Sequence, residues 1–172
     1  MITIEQLKAI ATNKESELLK VLKPLNDTCV KFNINTPLRK QHFLAQICHE
    51  SLSFIYRKEL ASGKAYEGRK DLGNINAGDG VKFKGRGYIQ ITGRANYGLI
   101  SKDLGVDFIA KPELLEEIDN AILSAGWFWN KHNLNILADQ DDVTKITKRI
   151  NGGLNGFEDR KKYLDKAKKV IV

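Results

Sequence analysis

Eight of the fourteen glycines in this 172-residue chain fall within residues 63–93. No helical stripe of apolar residues continues through this segment, and glycine favours turns and irregular backbone over helix. On both sides of it, apolar residues recur at the spacing of amphipathic helices. We therefore expect a mainly α fold, one domain over residues 1–172, whose helices surround a glycine-rich, partly extended insert.

Helix signals are clear on both sides of the insert. A capping box begins a helix at Thr3, and Pro24 is expected to kink or split the leucine-rich run that follows. Thr36 and Pro37 form an N-cap and a first turn, and that helix is expected to end near Ser51. Further helices are predicted over residues 121–131, 141–150 and 157–171.

Within the insert, residues 88–92 alternate between polar and apolar side chains. Tyr88, Gln90 and Thr92 would project from one side of an extended segment, and Ile89 and Ile91 would anchor the other side. The pattern predicts a polar face that is available to a ligand.

The chain is basic, with 28 Lys and Arg residues against 21 Asp and Glu residues and a formal net charge of +7. This excess indicates an anionic partner, and nucleic acid, a membrane face and an acidic cell-wall polymer all fit. Nine of the cations follow Asp142, most of them on the predicted outward side of the last helix. An inert basic surface is the alternative.

Cys29 and Cys48 lie among apolar residues without the Cys/His spacing of a metal site, so we expect buried free thiols in a reducing cytoplasm. The first residues lack the pattern of a secretory signal. The longest uncharged apolar stretch, residues 120–130, falls short of the roughly 20 residues that span a bilayer.

Arg160 falls near the middle of the apolar face of the last predicted helix. A guanidinium at such a position must reach solvent or meet a carboxylate, because burying an unpaired charge is costly. Two interpretations remain open at this point: a structural salt bridge, and an arginine that holds a catalytic carboxylate.

Three glutamates are candidates for acid and base chemistry. Glu50 lies in line with Ile47 on one helix face, where apolar neighbours favour a protonated carboxyl group. Glu59 follows nine residues later beside Lys58 and other cations, which favour an ionised one. Glu67 is a rival for the base, and a capping or surface role remains open for Glu50.

Other chemistries lack their motifs. The glycines match neither the dinucleotide fingerprint nor the P-loop, so phosphate binding is not expected. His42, His49 and His132 form no zinc spacing with one another or with the cysteines. We expect no metal and no organic cofactor.

Four separated motifs together resemble glycoside hydrolase family 19. They are His49-Glu50-Ser51 with Glu59, the segment 66–74, the segment 83–92 with Asn96-Tyr97, and Ile150-Asn151-Gly152-Gly153. Within that family the chain resembles the compact endolysins of phages and prophages. The resemblance implies a lysozyme-like, bilobed helical domain with a cleft, no separate wall-binding domain, and cleavage of β-1,4 bonds in peptidoglycan.

The resemblance also implies roles for individual residues. Glu50 resembles the general acid, Glu59 the general base, and Thr92 the hydroxyl residue that helps to hold the attacking water. Arg160 resembles an arginine near the base glutamate. The expected substrate-binding residues are Gln90, Asn96, Asn151 and Tyr88, the last at a position where chitinases usually have proline, and the expected supporting residues are Arg160, Glu67 and His49.

The resulting hypothesis is an inverting glycosidase whose partners are peptidoglycan strands and, through the basic C-terminal helix, the anionic bacterial envelope. We expect a monomer that does not bind nucleic acid and that reaches the wall from the host cytoplasm through a membrane-permeabilising partner. One alternative is a chitinase of the same family. A more distant alternative is a non-catalytic module that binds glycan or nucleic acid.

Overall fold

The computed structural model describes residues 1–172 and is mainly helical, as predicted, with no β-sheet. Its nine α-helices are α1 (Ile4–Ile10), α2 (Glu15–Lys31), α3 (Pro37–Ser51), α4 (Asp79–Lys82), α5 (Arg94–Leu104), α6 (Ile118–Lys131), α7 (Leu134–Asp139), α8 (Val143–Asn151) and α9 (Phe157–Val170). Short 3-10 helices span Lys64–Tyr66, Lys70–Leu72 and Pro112–Glu116. None of the helices is both long and apolar enough to cross a membrane.

The capped helix starts that the sequence predicts at Thr3 and Thr36 are confirmed. Thr3 and Gln6 exchange both hydrogen bonds of a capping box, at 3.0 and 3.2 Å. Thr36 Oγ1 accepts the backbone N–H of Arg39 at 3.3 Å, with Pro37 in the first turn. These caps satisfy N–H groups that have no partner inside the helix.

The helix is not split at Pro24, because α2 runs through it from Glu15 to Lys31. Proline removes one N–H, whose acceptor would be the carbonyl four residues earlier, at the exposed Lys20. Water can solvate that carbonyl, and the buried residues of α2 on either side of Pro24 keep the helix continuous. Three helices, α4, α5 and α7, are absent from the prediction.

The predicted extended segment at 88–92 is also wrong. Gln90 adopts a left-handed backbone with φ of 54°, and its N–H bonds to the Gly87 carbonyl at 3.2 Å. Arg86 and Ile91 then pair across this tight turn through backbone bonds of 2.8 and 3.1 Å. The reversal directs Tyr88 into the core, where it is 1% exposed and packs edge-on against Phe54.

The core is built around α3, which is buried from Gln41 to Cys48. Helix α9 packs along α3, and α2 packs against α6. Phe43 of α3 meets Trp129 of α6 edge-on, with ring centroids 5.3 Å apart. Cys29 and Cys48 are buried free thiols, as predicted, and burial raises the pKa of Cys29 to about 12.

The contact between α2 and α6 depends on Gly126. A Cβ placed there would lie 2.3 Å from Thr28 Cγ2 and 2.5 Å from Phe32 Cδ2.

We predict that Gly126→Ala lowers the free energy of unfolding by about 1 to 3 kcal/mol through overpacking, measured by urea denaturation. The control is Gly98→Ala in α5, where no atom lies within 4 Å of the new Cβ. That variant should gain roughly 0.5 to 1 kcal/mol, and equal effects at the two sites would contradict the packing described.

Candidate active site

A left-handed turn separates the two candidate catalytic glutamates. Leu52, Ser53 and Phe54 have φ values of 49°, 59° and 67°, which is an uncommon conformation for side chains of this size. The Ser53 N–H bonds to the Cys48 carbonyl at 2.7 Å, and Ser51 Oγ accepts the Phe54 N–H at 2.8 Å. The turn therefore ends α3 one residue after Glu50.

The turn is also tied to the last helix. Ser53 is fully buried, and its hydroxyl lies 3.0 Å from the Tyr163 hydroxyl of α9. Ser53 Oγ also accepts the backbone N–H of Thr12 at 3.0 Å. Polar contacts from two directions thus hold the chain where it leaves α3.

Arg160 of α9 reaches across to α3, as its position on the helix face predicts. Its guanidinium is 1% exposed and donates to Gln46 Oε1 and to Glu50 Oε1. The interpretation of a carboxylate partner is confirmed. The resemblance placed this arginine near the base, and the structure pairs it with Glu50, the residue that resembles the acid. The reason is that α9 packs lengthwise on α3.

His49, beside Glu50, is held by helix α9. Its Nδ1 lies 2.7 Å from Asp159 Oδ2 at the start of α9, and the backbone of Gly156 packs against its ring. Asn151 is exposed at the end of α8 and donates to the Asn155 carbonyl at 3.2 Å. His49 therefore supports the first turn of α9, and Asn151 supports the loop that leads into it.

Glu59 lies in the irregular segment and has two donors. Glu59 Oε1 accepts the Tyr66 hydroxyl at 2.9 Å, and Oε2 accepts the Gly85 N–H at 3.1 Å. Burial, followed by the hydrogen bond to Glu59, raises the pKa of Tyr66, so this hydroxyl stays a donor. The two bonds fix the orientation of the Glu59 carboxylate.

Three side chains with oxygen atoms gather around Gly85. A Cβ at this position would lie 2.8 Å from Gln90 Oε1, 3.2 Å from Glu59 Oε2 and 3.3 Å from Thr92 Oγ1. Thr92 Oγ1 donates its own proton to the Gln90 carbonyl at 2.9 Å. A side chain at position 85 would press against these oxygens and displace them from this arrangement.

Glu67 has a different task. Its carboxylate accepts the N–H of Gly78 at 2.6 Å and the N–H of Gly80 at 2.8 Å. Both oxygens are thereby used to hold the turn that begins α4. This arrangement favours Glu59 over Glu67 as the candidate base.

The remaining predicted residues divide into two groups. Gln90, Thr92 and Asn96 line a pocket of about 350 Å³, and Asn96 Nδ2 donates to the Thr92 carbonyl at 2.8 Å. Tyr88 is not part of this group, because the turn at Gln90 buries it, and burial raises its pKa to about 12. Its expected role in substrate binding is therefore wrong.

Sequence reasoning missed several residues that hold the site. Tyr66 and Gly85 lie inside the motifs, but the sequence does not show that they contact Glu59. Tyr66 is seven residues from Glu59 along the chain, and Gly85 is 26 residues from it. Arg86 donates to Glu116 Oε1 at 2.7 Å and to the Lys82 carbonyl at 2.8 Å, which fixes the loop carrying Gly85. No periodic pattern indicates such contacts in irregular backbone.

Comparison with known proteins agrees with these motifs. The family described as chitinase class I matches residues 44–145. The chain belongs to glycoside hydrolase family 19. It is 41% identical over 104 residues to a family 19 domain-containing protein of Haemophilus influenzae, covering 60% of this chain and 50% of the relative. It is 38% identical over 111 residues to an Arabidopsis thaliana endochitinase, covering 64% and 38%. The chain thus spans half or less of the length of these relatives.

Solved structures show the same fold. Chitinase C from Streptomyces griseus has a TM-score of 0.81 at 20% identity, covering 99% of this chain and 76% of that one. A class IV chitinase from Zea mays has a TM-score of 0.73 at 21% identity, covering 98% and 90%. The helical architecture of this family 19 protein is therefore that of known chitinases.

The buried arginine yields a stability prediction. Arg160→Met should lower the free energy of unfolding by about 3 kcal/mol, because Glu50 and Gln46 both lose their donor in a largely buried position. Urea denaturation measures the change. Lys161→Met, one residue further on the exposed side of α9, is the control and should be nearly neutral. A neutral Arg160→Met would show that the pair does not join α3 to α9.

Proposed function

We propose that this family 19 protein hydrolyses β-1,4 glycosidic bonds in bacterial peptidoglycan by an inverting acid and base mechanism. The observation that carries the proposal is the different setting of two glutamates, Glu50 against a buried arginine and Glu59 within a cluster of polar groups. An inverting glycosidase needs two such carboxyl groups on opposite faces of the scissile bond.

The base half follows from the cluster around Gly85. A water between Glu59 and Thr92 can donate one proton to the carboxylate and the other to Thr92 Oγ1. The Thr92 hydroxyl accepts readily, because its own proton is directed to the Gln90 carbonyl. With both protons engaged, the water presents a lone pair to the anomeric carbon, and Glu59 removes a proton as the bond forms.

The acid half follows from the pairing of Glu50. Arg160 holds Oε1, and Oε2 accepts no hydrogen bond from the protein. Oε2 is therefore the oxygen that would carry the proton to the leaving glycosidic oxygen. The carboxylate that remains after transfer is stabilised by the guanidinium, which favours departure of the leaving group.

The surface of α9 supports an anionic polymer as the substrate. Apart from Arg160 its cations are exposed, namely Lys161, Lys162, Lys166, Lys168 and Lys169. Lys168 is paired with Asp141 at 2.6 Å, and none of the other four forms a salt bridge. We infer that this face holds the enzyme on the bacterial envelope. In this proposal the protein is an endolysin that leaves the host cytoplasm through a membrane-permeabilising partner and then acts on the wall.

Chitin hydrolysis is the second candidate function. The plant relatives are named endochitinases, and the solved structures with this fold are named chitinases. The same acid and base geometry would cleave either polymer, since both are joined by β-1,4 bonds. Products formed from chitin oligomers beside purified peptidoglycan distinguish the two functions.

The mechanism is tested by three matched substitutions. Glu50→Gln and Glu59→Gln should each reduce the release of reducing ends from purified peptidoglycan by about 10² to 10⁴, because each removes proton transfer in the transition state. Glu67→Gln keeps an oxygen acceptor for the 78–80 turn and should cost far less. A folded Glu50→Gln variant with wild-type activity would refute the assignment of the acid. The reverse ranking of Glu59 and Glu67 would give the role of base to Glu67.

A further inference from the structure

The pocket beside Thr92 has a second side that the hydrolytic mechanism does not use. It is formed where the C-terminal ends of α6 and α8 approach the segment 89–96. Trp127 and Phe128 supply aromatic surface there, and Lys131, His132 and Arg149 complete the lining.

No carboxylate lines this pocket to balance its basic groups. Neither Lys131 nor Arg149 forms a salt bridge, although the chain has thirteen such pairs, most of them on its surface. The Lys131 ammonium lies 5.1 Å from the centre of the Trp127 ring. Burial, and then the charges of Arg149 and Lys131, lower the pKa of His132. Two cations without a salt bridge, Lys131 and Arg149, therefore lie near His132 in this pocket.

Helix ends explain part of this arrangement. Cations near a helix C-terminus interact favourably with its carbonyls, and Arg149 donates to the His132 carbonyl at 3.4 Å. This effect requires only that each cation lie near the end of its own helix. It does not explain why two helix ends direct their cations into one pocket that also contains Gln90, Thr92 and Asn96.

We propose that Lys131, His132 and Arg149 form a carboxylate-binding subsite for the lactyl-peptide substituent of a muramic acid unit. The inference rests on the proposed function, since Thr92 in the same pocket would place this unit beside the reacting bond. Arginine can bind a carboxylate through two parallel hydrogen bonds, and lysine adds a mobile point charge. Every second sugar of peptidoglycan carries such an acidic substituent, whereas a chitin strand is uncharged. The subsite would therefore select peptidoglycan over chitin.

The test compares two double variants that remove the same charge. Lys131→Gln with Arg149→Gln alters the subsite, and Lys102→Gln with Lys111→Gln alters two exposed lysines that do not line the pocket. Each is assayed on soluble peptidoglycan fragments that are free of teichoic acid and lipid, and on a chitin hexamer. We expect the subsite variant to lose about tenfold or more of kcat/KM on peptidoglycan, because it loses charged hydrogen bonds to the carboxylate of the substrate. If the chitin hexamer is cleaved, the subsite variant and the control variant should have the same kcat/KM on it.

Binding provides a readout that does not depend on turnover. In a Glu50→Gln background, co-sedimentation with purified peptidoglycan should weaken in the subsite variant and not in the control variant. A wild type without hydrolytic activity would refute the proposed function, and the binding measurement would still decide the subsite. Equal losses on both substrates with a lowered Tm would show that these cations only stabilise helix ends. That result would overturn the proposed subsite. So would a subsite variant that hydrolyses and binds peptidoglycan as well as the wild type does.

Discussion

The contact between Arg160 and Glu50 connects the packing of this protein to its chemistry. A guanidinium that is 1% exposed requires acceptors, and α3 supplies two, one from Gln46 and one from Glu50. The two acceptors lie on successive turns of α3, so Arg160 joins α9 to that helix at Glu50. The same packing brings Tyr163 to Ser53 and Asp159 to His49. The end of α3, and with it Glu50, is held by contacts from α9.

The irregular segment complements this rigid half of the site. Its oxygen atoms come from Glu59, Gln90 and Thr92 and lie together around Gly85, which has no side chain between them. Arg86 holds the surrounding loop through Glu116 and a backbone carbonyl. The result is one carboxyl group fixed on helical structure and another fixed by local hydrogen bonds.

The sequence predicts what depends on periodicity and on caps. It identifies α3 through Thr36 and Pro37, and it places Arg160 on the inward face of α9 with a carboxylate to meet. It fails where a single backbone conformation decides the result. The left-handed Gln90 turns an expected extended segment into a tight turn and buries Tyr88. Alternation of polar and apolar residues is a sound signal only if the backbone between them is straight.

Tertiary contacts set a second limit. The motifs contain Glu59 and Thr92, but the bonds from Tyr66 and Gly85 that position Glu59 join segments whose approach no local pattern encodes. The same holds for the basic pocket, which requires the ends of α6 and α8 to meet. Net charge indicates that cations are in excess, and only the fold shows which of them share a site.

The configuration of the first product tests the pairing of Glu50 with Glu59 most directly. An acid and a base on opposite faces of the sugar, with a water between them, invert the anomeric carbon. Proton NMR of the new reducing end, recorded before the anomers equilibrate, should show the α-anomer released from a β-1,4 bond. A β-anomer as the initial product would show retention, and the water-mediated arrangement of Glu59 and Thr92 would then be wrong.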